Sequence, residues 1–368
     1  MFFAIDIEDR IRADHPLRSI KAAVDEILLE LGPLFDQAYS TLGRPSVPPE
    51  VLLKALMLQC LYSIRSERQV VERLDTDLLF RWFCGLDPAE EVFDATAFTH
   101  NRPRLDQFGI TGAFFEAVVS RAIDAGLASD DHFTVDGSLI ESYASIKSFK
   151  VREDNEDADD SNGFKPRNLE VDFHAEKRSN ATHQSTTDPE ARLYRKSKGK
   201  EAKLSHLAHV TSENRNGLVM AVTVSQANGR AECAAAIEMI DALLDRTILP
   251  KTLGADRGYD NGLYMAELES RGVTPHTAMR NTSRDSTTLR RRDRRAQRAR
   301  LRMRARLKDE TYRISQRSRK KVEEVFAWMK TIAGLARSHH VGRWKLRQQV
   351  ELAAAMYNLV RMQKLLKT

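Results

Sequence analysis

Three carboxylates have the residue types and settings for chemistry. Asp136 lies in a β-rich run, HFTVDGSLIES, flanked by Val135 and Leu139. Asp256 ends a second short strand in LGADRGYDN, where Gly254 and Gly258 allow a tight backbone. Glu323 falls on a helix. Its neighbours Val322, Val325, Phe326, Met329 and Ala333 gather on one apolar face. Arg319, Glu323 and Lys330 form a polar stripe beside that face, and Glu324 points to the opposite side. Two aspartates on strands and a glutamate on a packed helix can hold Mg²⁺, a hard cation that takes oxygen ligands. Two such ions, ~3.5–4 Å apart, stabilise both the attacking and the leaving oxygen in phosphoryl transfer. Without metal the acids repel one another and one pKa should rise.

Spacing alone leaves plainer readings open. Asp136-Gly137 is also a hairpin-turn signal. Asp256 could be a loop residue ahead of a helix. Arg319 and Glu323 could be an ordinary surface pair one helical turn apart.

The elements that must position these acids read as a mixed α/β layer fold behind an all-helical N-terminal domain. Residues 48–106 are helical: Pro48 and Pro49 open a helix, and Ser66 with Gln69 forms a capping box ahead of Val70, Val71 and Leu74. Further helices are expected at 77–84, near 96–108 and at 111–126, the last stopped by Gly126. Strands are expected around Asp136, at 204–212 and 217–226 (a hairpin turning at 213–216), at 252–256 and at 273–278. Helices are expected at 231–246, 262–272, 318–334 and 344–366, the last packing on the catalytic domain. Residues 150–163, KVREDNEDADDSNG, have no apolar period and read as an acidic insertion or loop.

Charge is segregated along the 368 residues. The net charge is +6, yet residues 280–308 hold 13 basic and 2 acidic residues, so the remainder is net acidic. A stripe of this kind is the footprint of a polyanion partner. Within it Ala296, Ala299, Met303 and Leu307 recur at steps of three and four, which fits a narrow-seamed basic helix lying along DNA. A disordered polycationic loop is the other reading. Arg290, Arg291, Arg294, Arg295, Arg298, Arg302 and Arg306 are the candidate DNA contacts.

Other features exclude more than they suggest. No stretch approaches the ~20 apolar residues of a membrane span. Cys60, Cys84 and Cys233 are too scattered for a disulfide framework or a zinc knuckle, so a cytoplasmic setting is expected. There is no GxxxxGK phosphate loop, and a nucleotide cofactor is not expected. His206, His209, His339 and His340 read as core or solvated histidines rather than metal ligands. Trp328 reads as packing, with base stacking as the second reading.

These residues also carry a family resemblance over nearly the whole length. It rests on VPPEVLLKALMLQCLYSIRSERQ, TVDGSLIESYASIKSF, EKRSNATHQSTTDPEARLYRKSKGKEAKLSHLAH, ENRNGLV, GADRGYDN and QRSRKKVEEVFAWMK. The chain resembles bacterial insertion-sequence transposases of the DDE type, in the fifth insertion-sequence family. The resemblance implies an RNase H-like catalytic domain over residues 129–368. That domain would use Asp136, Asp256 and Glu323 with two Mg²⁺ ions, or Mn²⁺ in their place. Residues 1–128 would form a helical domain for DNA binding or dimerisation, with Arg65, Arg68, Arg102 and Arg104 as candidate phosphate contacts. Around the glutamate, related enzymes show Tyr, two residues, Arg, three residues, Glu, six residues, Lys. Arg319, Glu323 and Lys330 match and would lie near the DNA backbone. Gln316 stands at the tyrosine position, and Tyr312 lies one turn earlier.

The activity implied is metal-dependent cleavage at transposon ends followed by strand transfer into target DNA. A metal-activated water would leave a 3′-hydroxyl, which would then attack the target in line. The partners would be double-stranded DNA, as inverted-repeat ends and as target, and a second copy of the chain as a homodimer on DNA. Two other readings are carried: an RNase H-like nuclease without strand transfer, and a catalytically silent DNA-binding repressor of the element.

Overall fold

The computed structural model describes residues 6–39, 46–152, 171–173, 176–195, 199, 201–280 and 291–367. Most of the acidic insertion, from residue 153 onward, and Arg290 fall outside them. Helices α1 (Ile7–Arg10), α2 (Leu17–Glu30), α3 (Gly32–Ala38), α4 (Pro49–Leu61), α5 (Glu67–Thr76), α6 (Leu78–Cys84), α7 (Thr96–Gln107) and α8 (Ile110–Asp124) come first. Then follow strands β1 (His132–Glu141), β2 (Phe149–Val151), β3 (Val171–Phe173), β4 (Glu176–Arg178), β5 (His183–Ser185), β6 (Arg192–Tyr194), β7 (Lys203–Glu213) and β8 (Val219–Gln226). Helix α9 (Ala231–Asp245), β9 (Thr252–Ala255), α10 (Gly262–Ser270) and β10 (Thr274–Thr277) alternate after them. The chain ends in α11 (Arg291–Arg306), α12 (Glu310–Ser318), α13 (Lys320–Thr331) and α14 (Arg343–Leu365).

The chain divides into two compact units. One comprises Met1–Leu127 with Trp328–Leu335 and Gln348–Thr368; the other comprises Ala128–Ala327 with Ala336–Arg347. In the helical unit, the apolar run of α4 buries Leu52, Leu53, Met57 and Leu58. The Ser66 hydroxyl accepts from the Gln69 N–H at 3.3 Å, the N-terminal half of the expected capping box. Gly126, at φ 66°, follows α8 in the left-handed conformation that suits glycine after a helix.

The carboxy-terminal helix corrects the sequence reading. From Gln348 onward it groups with the helical unit, not with the sheet. The Gln348 amide donates to the Arg102 carbonyl at 2.9 Å, and Gln363 donates to the Pro16 carbonyl at 2.8 Å. The Thr111 hydroxyl donates to Glu351 at 2.5 Å. Arg102 is corrected too. It is only 3% exposed and ion-paired to Glu67, so it holds the unit together and does not reach DNA phosphate. Trp328 packs edge-on against Tyr357, with ring centroids 5.7 Å apart.

The second unit is built on a six-stranded mixed sheet. Its order is β10-β9-β1-β7, and the far edge of β7 pairs with β8 and, further along, with β6. β1 runs parallel to β9, and β9 to β10; β1, β6 and β8 are all antiparallel to β7. The turn between β7 and β8 is held from inside. Fully buried Glu213 accepts backbone N–H groups from Arg215, Asn216 and Leu218 at 2.6–3.1 Å. Phe133, Val135, Val210, Val219, Ile240, Leu243, Leu253 and Ala255 are buried in the core of this unit.

Candidate active site

Asp136 lies in mid-strand, opposite Val210 of β7, with Gly137 opposite His209. That rules out the hairpin turn. Thr134 and Gly254 are the last registered pair of the parallel β1–β9 ladder, so Asp136 and Asp256 each follow two residues beyond it. The strand order therefore brings the two aspartates out together at the carboxyl end of β9. Asp256 is fixed there as the cap of a short 3₁₀ turn, Arg257–Tyr259, its Oδ1 accepting the Gly258 N–H at 2.6 Å. Asp136 Oδ1 accepts the Gly137 N–H at 2.8 Å.

Electrostatics draws Glu323 into the same site. Burial pushes the Asp136 carboxyl up to about 6, and the charges of Asp256 and Glu323 push it the same way. The Gly137 N–H and the Arg319 guanidinium oppose that rise. Glu323 itself is exposed in the first turn of α13, with Arg319 Nη2 at 3.9 Å. The apolar face of this helix is as expected: Val322 and Val325 are fully buried, and Phe326 and Met329 nearly so. Among the described residues no three His, Cys, Asp or Glu side chains are already gathered closely enough to hold a metal ion. The two aspartates are neighbours and Glu323 stands off beside Arg319. The donors are carboxylate oxygens, which suit a hard divalent cation. The raised Asp136 is the repulsion that such a cation would relieve.

Gln316 has a clear structural role. Its amide donates to the Ala255 carbonyl at 3.4 Å and to the His276 carbonyl, tying α12 to the ends of β9 and β10 one residue before Asp256. Tyr312 packs edge-on against His276, with ring centroids 5.8 Å apart.

The basic segment from Arg291 is a helix packed on α10, not a loop. Ala299 and Met303 are fully buried. A Cβ on Gly262 would stand 2.4 Å from the Ala296 carbonyl oxygen, so the two helices need glycine there. Several arginines are consumed by this packing. Arg295 pairs with Glu267, Arg302 and Arg306 with Glu269, and Arg300 with Asp260. Arg294 and Arg298 are exposed and form no ion pair among the described residues. Lys330 belongs to the helical unit. His206 and His209 are buried in the sheet. Burial holds His209 down at about 4, which keeps it neutral. Sequence reasoning passed over Glu232, in the first turn of α9, because a lone acid at a helix start signals no more than favourable helix electrostatics.

Two family models match. Transposase domain (DUF772) covers residues 5–104, and Transposase DDE domain covers residues 179–359. The chain belongs to the insertion-sequence DDE transposases. Together the matches take in about three quarters of its length, including Asp256 and Glu323, while Asp136 lies between them. No curated protein and no solved structure matches the chain. The mixed α/β architecture of the transposase is consistent with the RNase H-like fold of this family. DNA is the partner of such an enzyme, and its chemistry depends on a divalent metal. No helix among the described residues is long and apolar enough to cross a membrane.

Proposed function

We propose that Asp136, Asp256 and Glu323 are the catalytic acids of this transposase and that they ligate two Mg²⁺ ions, for which Mn²⁺ can substitute. The observation that carries the reading is the side-by-side emergence of Asp136 and Asp256, with the Glu323 charge acting on Asp136. A bound divalent cation supplies Lewis-acid stabilisation of the charge that develops on the scissile phosphate. The chain's own groups do the rest. The two strand aspartates fix the reacting phosphate relative to the rigid sheet. Arg319 orients a phosphate oxygen beside Glu323, and Gln316 keeps the Asp256 backbone in place. Water attacks phosphorus at the transposon end, the P–O3′ bond breaks, and the 3′-oxygen leaves as a hydroxyl. That hydroxyl then attacks a target phosphodiester in line. No covalent enzyme–DNA intermediate forms.

DNA is held by phosphate contacts from Arg319, Lys330 and the exposed face of the basic helix, with Arg294 and Arg298 foremost. A homodimer on DNA processes the two ends together. The test uses purified protein, Mg²⁺ and a labelled duplex carrying the inverted repeat that brackets the reading frame. Cleavage with joining supports this reading. Cleavage alone identifies a nuclease, and binding alone a repressor.

A further inference from the structure

Glu232 reaches the same place as the strand aspartates, from a different element. It sits in the first turn of α9, directly after the β8 edge of the sheet. Two glycines report its position. The space a Cβ would take on Gly258 is bordered by Asp256 Oδ1 at 2.8 Å and Glu232 Oε2 at 3.0 Å. Two carboxylate oxygens thus border one methyl-sized space. The corresponding space at Gly137, the residue after Asp136, is bordered by His209 Nδ1 at 3.1 Å and Glu232 Oε1 at 3.5 Å. One oxygen of Glu232 lies toward the Asp256 turn and the other toward the Asp136 strand.

Two buried groups at this place lack the hydrogen bonds that burial normally demands. His209 is fully buried, its Nε2 is shared with the Ser225 hydroxyl at 2.7 Å, and its Nδ1 has no hydrogen-bond partner. Tyr259 is also fully buried, with an unpartnered hydroxyl under the influence of the Glu232, Asp136 and Asp256 charges. Carboxylates that ligate a cation are themselves held by hydrogen bonds from behind. The His209 ring and the Tyr259 hydroxyl are in place for that role.

We propose that Glu232 is a fourth carboxylate of the metal site, joining Asp256 and Asp136 on the divalent cation from the start of α9. This rests on the reading of Asp136 and Asp256 as metal ligands given above. It accounts for the bare glycines at 137 and 258, since a methyl group at either position would press on Glu232. It also supplies a carboxylate beside the aspartates on the side away from the Arg319–Glu323 pair.

The test is Mn²⁺ binding to the full chain without DNA, followed by electron paramagnetic resonance. Glu232→Gln is expected to weaken Mn²⁺ at least about 10-fold, the scale on which residues around a metal act. Asp256→Asn should weaken it too, and Glu232→Asp should restore part of the loss. Thermal unfolding in chelator checks that each variant folds. If Glu232→Gln is poorly folded, Gly258→Ala decides, because its methyl group displaces only the two flexible carboxylate ends. Native Mn²⁺ affinity in Glu232→Gln, with affinity lost in Asp256→Asn, overturns this inference and leaves the aspartate reading standing. Native affinity in both overturns both.

Discussion

Asp136 and Asp256 emerge side by side, each two residues past the Thr134–Gly254 pair that closes the parallel ladder of β1 and β9. Neither can move without the sheet. Glu323 is different in kind. It rides on a helix, is exposed, and has only Arg319 at 3.9 Å as an ion-pair partner. The site therefore consists of a fixed pair and an adjustable third acid.

The fixed pair makes stability depend on pH in metal-free protein. The folded-state value of Asp136, about 6, lies above its unfolded value near 4. The stability this group contributes is complete below pH ~4 and is lost as pH rises through about 6. In chelator at pH 8, Asp136→Asn is expected to be more stable than the native chain by about 2 kcal/mol, measured by urea unfolding. Mg²⁺ should stabilise the native chain and not the variant. A variant less stable than the native chain at pH 8 would contradict the crowding of charge around Asp136.

Asp188 responds with the opposite sign. Burial raises its pKa, but hydrogen bonds from His206 at 2.9 Å and the Ser142 hydroxyl at 2.7 Å outweigh burial and leave it lowered. Its contribution is present above the unfolded value near 4 and is lost as pH falls below that. Asp188→Ala should cost about 3 kcal/mol at pH 7, since it leaves a buried imidazole and a buried hydroxyl without their acceptor. A loss below 1 kcal/mol would show that the cluster does not hold β7 to the segment before it.

Gln316 offers a positional test. Each of its two hydrogen bonds to strand-end carbonyls is worth about 1 kcal/mol net. Gln316→Ala should cost about 2 kcal/mol and slow cleavage further, through the Asp256 backbone. Native cleavage and native stability together would make the contact incidental.

The basic helix divides into two classes. Neutralising Arg294 and Arg298 to Gln should leave the fold intact and reduce the salt slope of DNA binding by about two. Neutralising Arg302 and Arg306 should first cost stability, because both are spent on Glu269. Equal effects on the salt slope from both pairs would remove the distinction.

Much of this was legible in the sequence. The apolar stripe of α13 and the Ser66 capping box need only local periodicity. The status of Asp136-Gly137 was not legible, because a strand and a turn share that dipeptide and only pairing with Val210 and His209 decides. The alanine–methionine seam of α11 was read correctly as a seam, but its partner α10 was hidden. Glu267 and Glu269, which neutralise the stripe, look from sequence like ordinary surface acids. The grouping of the last helix from Gln348 onward with the helical unit was equally out of reach, since an apolar face does not name what it covers.

The most direct measurement compares Asp136→Asn, Asp256→Asn and Glu323→Gln with the native chain. It follows cleavage of a labelled transposon-end duplex in Mg²⁺, with DNA binding measured in parallel. Each variant should lose cleavage by at least about 10³-fold, the scale of a catalytic group's contribution, while binding the duplex nearly as well as the native chain. Native-rate cleavage by any one of them would remove that residue from the active site.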